Sequence, residues 1–86
     1  SKSALLGNVT PNPNSSSAKI TYTLGNGVAK ARLLINDETG HQVKEVELAK
    51  SGYASINTSG LIAGTYVCTL VVNGISVDSR KMVVAM

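Results

Sequence analysis

The chain has 86 residues, enough for one domain with a modest core and too few for two. Apolar residues make up 43% and aromatic ones only 3%, which excludes disorder and leaves Val, Ile, Leu and Ala to fill the interior. A dispersed net charge of +3 gives no basic stripe for nucleic acid, and no apolar run reaches the roughly 20 residues of a membrane-spanning helix.

The N-terminus lacks a signal-peptide pattern, and its start at Ser1-Lys2-Ser3 reads as that of a fragment. The expectation is one domain over residues 1–86, cut from a larger precursor. Residues 4–9 make a first edge strand. Pro11-Asn12-Pro13-Asn14 then breaks pairing, because proline donates no ladder hydrogen bond, and Ser15 to Ser17 extend the loop. Ile20, Tyr22 and Leu24 alternate with Lys19, Thr21 and Thr23, the pattern of a half-buried strand. Gly25-Asn26-Gly27 ends it. Ala31, Leu33 and Ile35 repeat the alternation, closed by the turn Asn36-Asp37-Glu38-Thr39-Gly40, with Gly40 where a positive φ is wanted.

Val43 and Val46 stand three apart, so the fourth strand carries a bulge near Lys44-Glu45 or changes its inward face there. A helix is the competing reading, but two turns are too short to stand alone. Ser51-Gly52 turns the chain into a fifth strand through Ala54, Ile56 and Thr58. Gly60 and Gly64 bracket a corner at Leu61, and Tyr66, Cys68, Leu70 and Val72 alternate along the central strand. Tyr66, two residues before Cys68, has the spacing of the tyrosine corner of immunoglobulin-like sandwiches, whose hydroxyl bonds the backbone a few residues upstream, here between Ser59 and Ala63.

Asn73-Gly74 tolerates the two positive φ angles of a type I′ hairpin, so Ile75 to Val84 pairs with the central strand. A plain two-residue hairpin sets Val72 against Ile75 and Leu70 against Val77 and puts all four inward. Continued unbroken, it would turn Lys81 inward and Met82 and Val84 outward, so a bulge near Ser79-Arg80 is expected. The fold class that follows is all-β, a seven-stranded antiparallel immunoglobulin-like sandwich. Its expected core holds Ile20, Tyr22, Leu33, Ile35, Ile56, Leu61, Tyr66, Cys68, Leu70 and Val77.

Chemistry is sparse. His41 is the single histidine, with no second His or Cys near it to share a metal. Asp37 and Glu38 are adjacent and point to opposite sides, not at each other as paired acid and base must. No Gly-x-Ser-x-Gly elbow and no phosphate loop occurs. Three Asn-x-Ser/Thr matches, at Asn8, Asn14 and Asn57, are common by chance in such loops. The lone Cys68 excludes an internal disulfide and reads as a buried, inert thiol. The expectation is no catalytic residue, no metal and no cofactor.

Four landmarks in order resemble the C-terminal sorting domain of the bacterial type IX secretion system. They are the Pro11-Asn12-Pro13 loop, the turn running from Ile35 through Asp37 and Gly40 to Val43, the corner Leu61-Ile62-Ala63-Gly64-Thr65-Tyr66, and the closing Lys81-Met82-Val83-Val84. The set spans nearly the whole chain, at the C-terminal position this family occupies. Thr10, Asn36 and Glu38 depart from it, the first two where an aromatic is usual and the third where an apolar residue is.

The resemblance implies a secretion address carried behind an N-terminal cargo domain. It is read by the outer-membrane machinery, then removed by a cell-surface sortase that joins the cargo to lipopolysaccharide. It also implies transit through the periplasm to the cell surface or the medium. The residues expected to be recognised are Arg80, Lys81, Met82, Val83 and Val84, offered by the edge or the protruding side chains of the last strand. The other reading is a generic immunoglobulin-like binding, adhesion or spacer module, for which three tyrosines and no tryptophan make a poor sugar platform.

Overall fold

The computed structural model describes residues 4–10, 16–25, 30–48 and 52–85. These form seven strands: β1 (Ala4–Thr10), β2 (Ser17–Leu24), β3 (Ala31–Asn36), β4 (Gln42–Leu48), β5 (Gly52–Asn57), β6 (Gly64–Val72) and β7 (Ile75–Val84). All pairings are antiparallel, in one sheet of order β1-β2-β5 and a second of order β4-β3-β6-β7. Two such sheets packed face to face are the immunoglobulin-like sandwich.

Period-two alternation decides what lies between the sheets. Ile20, Leu33, Ile35, Cys68, Leu70 and Met82 are fully buried, with Leu6, Val9, Tyr22, Ile56, Tyr66 and Val84 around them. Leu61 and Val77, expected deep in this core, pack against it half-buried. The outer face of the first sheet is polar, and there Lys19 Nζ lies 4.6 Å from the centre of the exposed Tyr53 ring.

Two expectations about register need correction. In β4 the irregularity falls at Val43, since Ile35 pairs with Lys44 but Asn36 with Gln42. The Asp37–His41 turn closes one residue out of step with the strand. Expelling Val43 restores the register, leaving Val46 and Leu48 half-buried against the core. β4 stays shallow because its four-stranded sheet faces one of three strands.

In β7 the bulge comes at Val77, earlier than Ser79-Arg80. Val72 pairs with Ile75 and Val71 with Ser76, but Leu70 pairs with Asp78. Ile75 pairs with Val72 as expected but is 66% exposed at the start of the edge strand, contrary to the expected hairpin core. The early bulge sets Asp78, Arg80, Met82 and Val84 on the inward face and Lys81 on the outward one. The type I′ turn itself is as expected, with φ of 52° at Asn73 and 85° at Gly74. Asn73 also ties the hairpin to the entrance of β3, donating from its N–H to the Lys30 carbonyl (2.9 Å) and accepting from the Lys30 N–H (3.1 Å).

Candidate functional site

The turn after β3 is built around one carboxylate. Asp37 Oδ1 accepts from the Thr39 N–H (2.9 Å), the Thr39 hydroxyl (2.7 Å) and the His41 N–H (3.0 Å). Its own N–H and C=O meet the His41 carbonyl and the Gly40 N–H, and Gly40 takes a φ of 93° to close the loop. Asn36 adds a bond from Nδ2 to the Gly40 carbonyl (3.1 Å). These donors, the Thr39 hydroxyl foremost, hold the Asp37 carboxyl below its usual 3.8.

The corner before β6 lies at the same end of the sandwich. The Tyr66 hydroxyl donates to the Ile62 carbonyl at 2.5 Å, within the stretch expected for it. Glu38 Oε1 reaches across to accept from the Thr65 N–H (3.2 Å), so the two turn motifs, far apart in sequence, meet. Sequence reasoning set Glu38 aside as an acid–base partner of Asp37 and marked it as a departure from the family pattern. An acceptor beside an extended N–H is recognisable only once Asn36 and Val67 are known to pair.

β7 presents the five residues of the expected recognition set unequally. Met82 and Val84 are 0% and 3% exposed, with their side chains in the core. Val83 is half-buried and Lys81 is exposed. Arg80 does not protrude, because the Val77 bulge turns it inward. It donates to Asp78 Oδ1 (3.0 Å), to the Ser79 carbonyl (2.8 Å) and to the Leu6 carbonyl of β1 (3.0 Å). Lys81 stands on the outer face of the four-stranded sheet, in one row with Val67 and Asn36, while Val83 and Thr65 make the next row. By strand spacing Lys81 lies about 10 Å from Asn36, at the end where the two turns meet. Among the motif residues, Pro11, Asn12 and Pro13 lie outside the described residues.

Comparison with known proteins decides the family. The model of the secretion system C-terminal sorting domain matches residues 8–85. The chain belongs to this family. No curated protein matches the sequence of this sorting domain. Among solved structures, the BSP domain of a biofilm-associated protein superposes with a TM-score of 0.74 at 13% identity, covering 93% of this chain and 15% of that one. At that identity the likeness concerns the fold alone. Pseudomonas fluorescens alkylpurine DNA glycosylase AlkC, bound to DNA containing an abasic site analog, aligns over 99% of this chain and 31% of its own at 17% identity. Its TM-score of 0.49 carries no argument. The chain thus spans a small part of the solved proteins it resembles.

As a type IX sorting domain it is a signal for export to the cell surface or the extracellular space, a role that asks for a surface and not for a reaction centre. Among the described residues no three His, Cys, Asp or Glu side chains gather as metal ligands, and no helix is long and apolar enough to cross a membrane. His41 Nδ1 sits 3.0 Å from the Thr39 hydroxyl in the exposed turn. Cys68 lies fully buried in β6, and desolvation pushes its thiol up to about 11. At the other end of the outer face, a groove of about 640 Å³ runs over Val71 between Asn73 and Glu47, and Arg32 in its wall is paired with Glu45 at 3.2 Å.

Proposed function

We propose that this domain is the export address of a cargo carried N-terminal to it. Its recognised surface is the outer face of the four-stranded sheet around Lys81. Once outside, a surface sortase removes the domain and joins the cargo to lipopolysaccharide. Family membership supports the export reading. The observation that carries the choice of surface is the position of Lys81. It is exposed beside Val67 and Thr65, where the Asp37 turn and the Tyr66 corner converge. Met82 and Val84 then act by holding β7 in the core and not by touching a partner. Arg80 contributes by fixing the strand.

The test is Lys81→Ala in the intact domain, fused to a secretable reporter in a host with this machinery. An exposed lysine should shift stability by no more than about 0.5 kcal/mol. Export is expected to fall while the melting temperature holds. Full export of a normally folded Lys81→Ala variant removes the side chain from the recognised surface. Failure of the folded wild-type domain to export any reporter would sink the sorting reading and leave a plain immunoglobulin-like module.

A further inference from the structure

The first and last strands are joined by side chains and not by a ladder. β1 pairs with β2 on one side, and Leu6 turns its N–H and C=O away from that strand. Asp78 Oδ2 accepts from the Leu6 N–H at 2.9 Å, and Arg80 Nη2 donates to the Leu6 carbonyl at 3.0 Å. One acceptor and one donor thus stand where a neighbouring strand's C=O and N–H would stand. The two mimics are locked together, Arg80 Nη1 to Asp78 Oδ1 at 3.0 Å, with the Ser79 N–H on the same oxygen at 2.9 Å. The Asp78 side chain is only 8% exposed and that of Arg80 39%, so the carboxylate is nearly out of water while the guanidinium keeps a solvated side.

This arrangement depends on one irregularity and one regular feature of an edge strand. The Val77 bulge turns Asp78 and Arg80 inward, at the half of β7 where the inward face meets the edge of β1 and not the core. Leu6 is in register with Tyr22 on an edge strand, where every second residue turns both backbone groups outward, and it offers them to the bracket. Leu6 and Val9 also share the buried cluster with Met82 and Val84. Inward-pointing charges are one way an edge strand avoids foreign pairing, and here they engage the molecule's own first strand.

We propose that Asp78 and Arg80 couple the docking of β1 to the placement of the second half of β7. Releasing β1 frees residues 81–84 as one event with it. Arg80 is a positioning residue in this scheme. The coupling belongs to the fold and stands whether or not Lys81 is the side chain read during export.

Hydrogen exchange on the intact chain tests it. Arg80→Gln removes the charged donor, and loss of a charge-assisted bond should speed exchange of the Leu6 amide by about tenfold or more. The slow amides among residues 81–84 are expected to speed up by a similar factor, while those of Leu33 and Ile35 stay as in the wild type. Arg80→Lys keeps one charged donor and should fall between the two. If Arg80→Gln does not fold, Arg80→Lys carries the comparison with a smaller factor. Faster exchange at Leu6 with residues 81–84 unchanged would overturn the coupling, as would no change at either place.

Discussion

Two regions of the β-sandwich are closed by opposite means. At the corner end, Asp37 binds residues two and four positions on, and Tyr66 binds back to Ile62, so most of the bonds are local. At the seam between β1 and β7, Asp78 and Arg80 reach Leu6 across more than seventy residues. The Asp37 turn is exposed and its carboxylate is solvated, whereas the Asp78 carboxylate is nearly buried. Local bonds in water each contribute little and survive single losses. A charge-assisted bracket on a nearly buried carboxylate concentrates its contribution in two side chains, and losing either leaves the Leu6 backbone short of a partner.

The largest effect should come from the strand serving both regions. Leu70 is fully buried, with Leu33 on one side and Asp78 on the other. Leu70→Ala is expected to cost about 2–5 kcal/mol in chemical denaturation, and a loss below about 1 kcal/mol would mean the inward face is misassigned. Asp78→Ala should come next, at about 1.5–3 kcal/mol, because it strips the Leu6 N–H of its acceptor and the Arg80 guanidinium of its ion-pair partner together. Tyr66→Phe removes one hydroxyl from the corner and should cost about 0.5–1.5 kcal/mol, with the fold unchanged by circular dichroism. A Tyr66→Phe cost above that of Asp78→Ala would reverse the contrast between the two regions.

Acid gives the smallest effect. The folded-state pKa of Asp37 is depressed, so its contribution is present above the usual carboxylate value of 3.8 and disappears as pH falls through the lower folded value. The Thr39 and His41 amide signals should therefore move together as pH falls, with a midpoint below 3.8. Movement centred above 3.8 would show that these donors do not stabilise the ionised form.

Legibility in sequence followed the same division. Alternation along β2, β3 and β6 named the buried positions, because one face of each strand is covered across its length. The Asp37 turn, the Asn73-Gly74 hairpin and the Tyr66 corner were readable because each depends on residues a few positions apart. The inward turn of Arg80 was not. It depends on the bulge falling at Val77 and on β1 lying beside β7, and neither leaves a local mark. Val77 is as apolar as its neighbours in the core, so alternation alone placed it inside and delayed the bulge. Glu38 is similar. Its partner is a backbone N–H on another strand, visible only after the sheet is assembled.

Cys68 gives the sandwich a chemical clock. The single thiol sits at the middle of β6, between sheets that must part before any reagent reaches it, and burial keeps it protonated at ordinary pH. The rate at which a thiol reagent marks this chain therefore counts openings of the molecule, without an introduced probe. Because β1 and β7 flank the seam, a variant that loosens only the seam and one that loosens the whole sandwich would run this clock at different speeds. Passage through a membrane machine could be timed the same way, by whether the thiol of an emerging domain is already out of reach.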